Sequence, residues 1–199
     1  MNSIDCFPNY EFCERLIFQV LKLIRLSFKH LEKTMQWRML PEVTRYLYTD
    51  PQLTFDDQVK WFEKISQDPA VMYWIISFDN RDIGVLYLYD IDWTNSRCGW
   101  AYYIGETGCR GRGIGSNLEC NVYDFVFDKL NCSKLWCEVL ANNQKVIELH
   151  KKHGSEIEEF LKEHVIKQGK PLDVVRMGIT KNKWANIRNQ YQYKKITIE

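Results

Sequence analysis

The sequence has almost no net charge, because 27 lysines and arginines are balanced by 26 aspartates and glutamates. Without a strong positive field, nothing global would hold the chain on nucleic acid or on an anionic membrane. It also lacks the run of about 20 apolar residues that a membrane-spanning helix needs. Lys22 and Arg25 interrupt the most apolar stretch, residues 16–26. We therefore expect no nucleic-acid or membrane partner, and a small-molecule substrate instead.

Cysteine motifs are missing as well. The seven cysteines stand at positions 6, 13, 98, 109, 120, 132 and 137, an odd number with no C-x-x-C pair. This pattern indicates neither a zinc site nor a disulfide framework, so we expect no metal, and buried inert thiols at Cys120 and Cys137. Met1–Asp5 lacks the basic start of a signal peptide. Together these features favour a cytoplasmic protein.

No internal repeat or Pro/Gly/Ser linker divides the 199 residues, a length that suits one domain with a substantial core. We place an N-terminal extension at residues 1–20, the domain at residues 21–180 and a C-terminal tail at residues 181–199. The tail mixes basic residues with Trp184, Tyr191 and Tyr193. That mixture is found in nucleic-acid-binding segments, but a solvated terminal element is the commoner interpretation.

Hydrophobic periodicity predicts a mixed α/β fold. The predicted order is one strand, two helices, three strands, a helix, a strand, a helix and a strand. The strands are expected at residues 21–26, 71–78, 83–91, 97–104, 134–140 and 173–180. The helices are expected near Pro41, after Thr54, from Gly113 to about Asn131, and at residues 143–153. In the second helix, a buried stripe is expected at Phe55, Val59, Phe62 and Ile65.

A glycine-rich turn, residues 110–115, lies between the strand ending at Ile104 and the helix beginning at Gly113. Glycines let a ligand approach the backbone, and the first N–H groups of a helix have no internal acceptor, so such a turn can bind a pyrophosphate. Arg110 and Arg112 add positive donors. A dinucleotide-binding motif would require glycine at position 116, which is serine, and a Walker loop would require G-K-S/T, which is absent.

Arg110, Gly113 and Gly115 fit the pattern Q/R-x-x-G-x-G/A, which resembles the acetyl-CoA signature of the GNAT superfamily. Residues 135–139 and 143–154 resemble the later strand and helix of the same superfamily. This resemblance implies a mostly antiparallel twisted sheet of about seven strands, splayed between the fourth and fifth, with helices on both faces. It also implies acetyl-CoA as cosubstrate. The cofactor-binding residues would be Tyr103, Ile104, Gly105, Arg110, Gly111, Arg112, Gly113, Ile114, Gly115, Ser116, Asn143 and Lys152.

The resemblance further implies direct attack of an amine on the thioester, with backbone N–H groups near residues 103–105 polarising its carbonyl. Position 150 departs from the family, where a tyrosine usually protonates the departing thiolate. Helical spacing turns His150 towards the sheet. There it could act as the catalytic acid in its imidazolium form, or it could be a core histidine whose ring nitrogens are hydrogen-bonded within the protein. Glu138 and Asp90 are weak candidates for the base, since both are more often structural.

A narrower resemblance concerns the acceptor. Residues 37–43, 48–50, 90–93 and 163–175 resemble the aminosugar N-acetyltransferases of pseudaminic acid biosynthesis, over about residues 20–180. Those enzymes acetylate the 4-amino group of a UDP-linked 4-amino-4,6-dideoxy sugar. The implied substrate-binding residues are Arg38, near the nucleotide-sugar phosphates, and Tyr48, Gln58, Tyr89 and Trp100. Position 58 is histidine in some relatives, and one branch has Thr-Lys at positions 89–90.

Two alternatives stay open from the sequence. The same scaffold could acetylate a protein N-terminus, a polyamine or an aminoglycoside, because the glycine-rich turn does not distinguish acceptors. The altered position 150 also leaves open an acyl-CoA-binding module without transferase activity. A homodimer is compatible with either.

Overall fold

The computed structural model describes residues 20–109 and 111–199. The predicted N-terminal extension, apart from Val20, lies outside these residues, and so does Arg110. Within the described residues the strands form one eight-stranded sheet in the order β6-β7-β5-β4-β3-β2-β1-β8. The strands are β1 (Leu21–Arg25), β2 (Met72–Phe78), β3 (Arg81–Asp92), β4 (Arg97–Ile104), β5 (Lys134–Leu140), β6 (Glu156–Lys167), β7 (Lys170–Thr180) and β8 (Thr197–Ile198).

Helices cover both faces of this sheet, as predicted. They are α1 (Leu31–Met39), α2 (Pro41–Thr44), α3 (Phe55–Ser66), α4 (Ile114–Asp124), α5 (Gln144–Lys152) and α6 (Lys181–Ile187). A π-helical turn at Phe125–Lys129 extends α4, which accounts for the predicted helix end near Asn131. Short 3-10 turns occupy Phe28–His30, Thr107–Cys109 and Arg188–Gln190.

The predicted splay between the fourth and fifth strands is confirmed. The parallel strands β4 and β5 pair only at their starts, where the last partners are Gly99 and Trp136. Beyond this point β4 continues to Ile104, paired with β3, and β5 continues to Leu140, paired with β7. The backbone between the two separated ends is therefore open to a ligand.

Side chains alternate across the sheet and divide the core into two clusters. A large cluster lies on the face of α4, α5 and α6 and includes Trp74, Trp100 and Trp184. A small cluster lies on the face of α1 and α3; its buried members are Leu26, Trp37, Ile75 and Val85. The glycine-rich turn and α4 lie on the first face, and a polar cavity lies on the second.

Helix α3 begins as predicted, with a capping box in which the Thr54 hydroxyl accepts from the Asp57 N–H. Its predicted buried stripe is wrong in part, because Phe55 is 41% exposed and the buried residue is Gln58. Gln58 donates from Nε2 to the Thr34 hydroxyl of α1, so this contact between the helices is a polar one. Val59, Phe62 and Ile65 are half-buried.

Strand β6 was not predicted. It is an edge strand whose residues are nearly all exposed, so it has no alternation of apolar side chains. It joins β7 through a two-residue turn in which Gln168 and Gly169 have φ of 50° and 74°. Positive φ at both turn residues is the requirement of a type I′ hairpin. This hairpin starts β7 at Lys170, earlier than the predicted residue 173.

The C-terminal residues are not a solvated tail, which corrects the sequence-based expectation. Trp184 of α6 is buried, and its ring stacks on Tyr191. The Asn121 side chain of α4 donates to the Lys194 carbonyl, and β8 pairs in parallel with β1. Residues 181–199 therefore pack against the predicted domain and complete one edge of its sheet.

In the part of the chain that the structure describes, no helix combines the length and apolarity needed to cross a membrane. The five described cysteines are free thiols, and Cys120 and Cys137 are buried as predicted.

Candidate active site

The glycine-rich turn has the backbone conformation that glycine favours. Gly111 and Gly113 have φ of 79° and 74°, and a Cβ at either position would meet no atom of the described residues within 4 Å. The left-handed conformation and the open space together form a cradle that a ligand can approach closely. Arg112 is exposed beside it.

Helix α4 presents its first N–H groups to this cradle. Its hydrogen bonding starts with the Asn117 N–H, which donates to the Gly113 carbonyl, so the earlier amides at Ile114, Gly115 and Ser116 precede the helical ladder. The Ile114 side chain is buried, so it anchors the start of the helix in the core. A Cβ on Gly115 would lie 2.9 Å from the Tyr102 hydroxyl and 3.0 Å from Leu149, so glycine there also allows close packing.

The end of β4 corrects one prediction. The Gly105 N–H donates to the Ile83 carbonyl at 2.8 Å, so it is not free to polarise a thioester carbonyl. Glycine is required at this position for another reason, since a Cβ would overlap the Trp37 ring. Ile104 pairs with Gly84 of β3. The Tyr103 side chain faces the cavity beneath α1 and α3.

Asn143 occupies the N-cap position of α5, next to the separated end of β5. Its carbonyl accepts from the N–H groups of Val146 and Ile147, but its side chain makes no capping hydrogen bond. The amide is therefore available to a ligand in the gap. Lys152, near the other end of α5, is exposed, and its carbonyl accepts from the Tyr191 hydroxyl.

His150 faces the sheet, as helical spacing predicts, and is 3% exposed. Its Nδ1 lies 2.5 Å from Oε1 of Glu119, although the angle is poor for a hydrogen bond. The His150 ring packs edge-to-face against Trp100 of β4. Burial lowers the pKa of His150, but Glu119 and Cys137 raise it, and the net pKa lies well above 6.5.

Glu119 is the functional candidate that the sequence analysis missed. It is fully buried, and its Oε2 accepts from the Tyr123 hydroxyl at 2.5 Å. The Tyr123 hydroxyl also lies 2.9 Å from the Ser155 hydroxyl. The available signal was a carboxylate directly after Leu118, one residue out of the apolar stripe and four residues before Tyr123, an i, i+4 pair.

Arg38 and Gln58 lie together in a cavity of about 320 Å³ on the small-cluster face. One guanidinium nitrogen of Arg38, Nη2, donates to the Thr49 hydroxyl. The other, Nη1, is buried and has no hydrogen-bond partner among the described residues. The cavity is lined by Thr34, Arg38, Leu47, Thr49, Pro51, Leu53, Asp57, Gln58, Trp61, Tyr73, Val85, Tyr87 and Tyr103.

Tyr48 belongs to a polar cluster next to the strands that line this cavity. Its hydroxyl donates to Oε2 of Glu138 at 2.8 Å, while the Arg176 guanidinium pairs with Oε1 of the same carboxylate. Burial, with the carboxylate beside it, raises the pKa of Tyr48 far above its ordinary value. Glu138 is thus held in an ion pair. Asp90, the other weak candidate for a base, is exposed on the wall of a separate cavity of about 620 Å³.

Trp100, predicted to bind substrate, lies on the face of the sheet opposite the cavity. It is 1% exposed and lies in the large cluster, stacked on Tyr102 and against His150. Tyr89 does lie on the cavity face, where its ring packs edge-to-face on Trp136 and beside Tyr87. The aromatic residues of β3 and β4 are therefore divided between the core and the cavity face.

These features fit acetyl-CoA. The cradle at Gly111 and Gly113 with the adjoining α4 amides suits its pyrophosphate. The gap between β4 and β5 suits its extended arm, which can hydrogen-bond to strand backbone. Across residues 20–109 and 111–199, no group of three or more His, Cys, Asp or Glu side chains could hold a metal ion.

A family model for the acetyltransferase (GNAT) domain matches residues 21–156. The chain therefore belongs to the GNAT acetyltransferase family, and the mixed sheet with a splayed β4–β5 pair is the GNAT fold. It is an acetyl-CoA-dependent N-acetyltransferase, as the sequence resemblance implied.

Two curated relatives are acetyltransferases, and the name of the second gives its acceptor. Acetyltransferase PseH of Campylobacter jejuni is 23% identical over 128 residues, covering 64% of this chain and 78% of the relative. Spermidine N(1)-acetyltransferase of Vibrio cholerae is 25% identical over 145 residues, covering 72% of this chain and 83% of the relative.

The solved structures agree on the fold. The Vibrio cholerae spermidine N-acetyltransferase in complex with CoA and spermine has a TM-score of 0.79 at 24% identity, covering 83% of this chain and 98% of its own. A dodecameric structure of the spermidine N-acetyltransferase from the same organism has a TM-score of 0.74, again at 24% identity, covering 83% of this chain and 96% of its own.

Proposed function

We propose that this acetyltransferase acts on a nucleotide-linked aminosugar, namely the 4-amino group of a UDP-linked 4-amino-4,6-dideoxy sugar. Acetyl-CoA, when bound, supplies the activated acetyl group. The chain's own residues bind its pyrophosphate at Gly111–Ser116, place the sugar nucleotide at Arg38, and supply a proton from His150.

The observation that carries this proposal is the buried Nη1 of Arg38, which no group in residues 20–109 and 111–199 accepts from. A buried donor without an acceptor costs free energy, and the cost is larger for a charged group. A phosphate or carbonyl oxygen of a ligand would remove that cost, and guanidinium groups suit phosphate oxygens. The cavity therefore favours a substrate that carries negative charge.

The cavity also has a suitable position for joining acceptor and donor. Tyr103, in its wall, belongs to the part of β4 that has separated from β5. Tyr102, the preceding residue, faces the other way and approaches Gly115 of α4. The separated end of β4 thus has the cofactor cradle on one side and the Arg38 cavity on the other.

A polyamine is the rival acceptor, supported by the relatives that are spermidine acetyltransferases. A polycation would need carboxylates, and among the cavity's described lining residues the acidic one is Asp57. Oδ2 of Asp57 accepts from the Thr54 N–H and from the Thr54 hydroxyl, and both hydrogen bonds belong to the cap of α3. Arg38 would repel a polyamine, so the geometry favours the sugar nucleotide.

An acceptor screen tests the proposal. Thiol release from acetyl-CoA should be measured with a UDP-linked 4-amino sugar, the same sugar without its nucleotide, spermidine, an aminoglycoside and a peptide with a free N-terminus. We expect the nucleotide-linked sugar to give the highest kcat/KM. Turnover of spermidine alone would establish the polyamine rival, and coenzyme A binding without turnover of any amine would favour a binding module.

A homodimer stays a prediction, which light scattering of the purified protein would test. A cytoplasmic location also stays a prediction.

A further inference from the structure

A fully buried carboxylate lies behind the proposed acid. Glu119 of α4 has no solvent exposure, so its charge must be balanced by neighbouring groups. Tyr123 supplies one hydrogen bond to Oε2. The group beside Oε1 is the His150 imidazole, 2.5 Å away at Nδ1. An imidazolium at this position compensates the carboxylate charge.

The imidazole lies where the two central strands part. The last paired residues of β4 and β5 are Gly99 and Trp136. The next residue of β4, Trp100, packs against the His150 ring, and the next residue of β5, Cys137, lies close enough to influence its pKa. His150 therefore lies at the inner end of the gap that receives the thioester arm.

The groups facing His150 come from three elements. Helix α4 contributes Glu119 and Tyr123, β5 contributes the Cys137 thiol, and β4 contributes Trp100, with Tyr102 close to Glu119. Glu119 is the carboxylate in this set. Burial lowers the pKa of His150, but Glu119 and Cys137 together raise it by more, so the net pKa lies above its ordinary value.

We propose that Glu119 is a positioning residue for acetyl transfer, which turns Nδ1 of His150 towards α4 and leaves Nε2–H to deliver a proton into the gap. This inference rests on the proposed function, in which His150 is the acid. As the amine nitrogen bonds to the acetyl carbon and the C–S bond breaks, Nε2 of His150 gives its proton to the departing sulfur. The amine loses its own proton to water, and His150 regains one from water.

The proposal explains how histidine can serve where a tyrosine is usual. An imidazole with an ordinary pKa of 6.5 would be mostly neutral at slightly alkaline pH and unable to donate. A thiol of ordinary pKa, about 8.5, needs a donor that is still protonated near that pH. The Glu119 carboxylate raises the pKa of the ring and so favours its charged form.

The first experiment needs neither cofactor nor acceptor. Proton NMR of the four histidines, with His150→Gln to assign the ring, gives the titration midpoint of His150 in the free protein. We expect Glu119→Gln to lower that midpoint by at least one pH unit. Glu148→Gln is the matched control, because Glu148 is an exposed carboxylate of α5 paired with Lys151 and should leave the midpoint unchanged. An unchanged midpoint in Glu119→Gln would overturn the proposal.

The second experiment measures kcat against pH with any amine that the enzyme accepts. Glu119→Gln should move the alkaline limb of the profile to lower pH and leave the KM for acetyl-CoA unchanged. In a His150→Tyr background, the same change should produce no further shift of the limb. A lowered NMR midpoint with an unmoved kcat limb would show that the carboxylate is structural only, and would also overturn the proposal.

A neutral pair controls for folding. Glu119→Gln with His150→Gln removes both charges and keeps two amides of similar size, so thermal unfolding should show a folded protein while kcat falls at least tenfold. Failure of the proposed function looks different, because nucleotide sugars would then give no product while the NMR shift in Glu119→Gln persists. The two ideas can therefore fail separately.

Discussion

The two faces of the sheet treat their buried polar groups in opposite ways. On the α4/α5 face, Oε2 of Glu119 accepts from the Tyr123 hydroxyl, and Oε1 lies 2.5 Å from Nδ1 of His150 as an ion pair, although without hydrogen-bond geometry. On the α1/α3 face, the buried Nη1 of Arg38 has no hydrogen-bond partner or ion-pair partner within the described part of the chain. The first face contains the large cluster of buried side chains, while the second has a small cluster with a cavity between helix and sheet.

This difference indicates that the two faces of strand β4 have different roles. Residues of β4 alternate, so Trp100 and Tyr102 join the packed face while Ala101 and Tyr103 face the other side. A face that satisfies its own polar groups can hold a proton donor in a fixed orientation. A face that leaves a donor unsatisfied gains free energy when a ligand supplies the acceptor.

The largest effect should come from Trp100. Because the ring is almost fully buried in the large cluster, we expect Trp100→Ala to lower the free energy of unfolding by about 3–5 kcal/mol. Tyr103→Ala, on the cavity face, should cost less stability and should raise the acceptor KM. Urea unfolding and steady-state kinetics of both variants would check this. A stable Trp100→Ala variant with an impaired acceptor KM would contradict the comparison and restore a substrate-binding role for Trp100.

The misplacement of Trp100 shows where sequence reasoning stops. Strand β5 has the predicted bounds because its alternating side chains are buried, and β4 has them because turn-forming residues precede an apolar run. Around Trp100, however, both faces of β4 are aromatic, so no polar residue marks which side is the cavity. Only the packing of helices on the sheet decides this.

Other features were out of reach for related reasons. Strand β6 is exposed along its length, so its pairing with β7 has no hydrophobic signature. Glu119 and His150 are 31 positions apart and lie on different helices, so no local sequence pattern predicts their contact. Motif spacing located the cofactor cradle because its requirements, positive φ and a helix start, are local.

Next in size is the effect of Gly113 on cofactor binding. Gly113→Leu would place a side chain in the open cradle, so we expect coenzyme A affinity to fall at least 100-fold, which is about 2.7 kcal/mol. Gly169→Leu is a matched control for backbone strain, since both glycines have φ of 74° and open space at Cβ. Titration calorimetry of the folded variants measures the affinity. Equal affinities in the two variants would show that the cofactor lies elsewhere.

Removal of the unsatisfied donor should have a more moderate effect. Because a hydrogen bond to a charged group contributes about 1.5–3 kcal/mol, Arg38→Met should raise the KM for a nucleotide-linked sugar roughly 10- to 150-fold. The affinity for coenzyme A should stay unchanged, because Arg38 is on the cavity face. Arg45→Met serves as the control, since Arg45 is exposed over Tyr46. Faster acetylation of spermidine by Arg38→Met, without any loss with nucleotide sugars, would reverse the proposed acceptor.

The smallest effect compares one helix cap on each face. Thr54 caps α3 beside the cavity, and Thr180 caps α6 on the packed face, each accepting a backbone N–H with its side chain. Either change to alanine should cost about 1 kcal/mol of stability, measured by urea unfolding. Only Thr54→Ala should also raise the acceptor KM, by a few fold, because α3 supplies Gln58 and Trp61 to the cavity wall. If Thr180→Ala raised that KM equally, the two faces would be coupled through the sheet, and the separation of donor and acceptor sides would not hold.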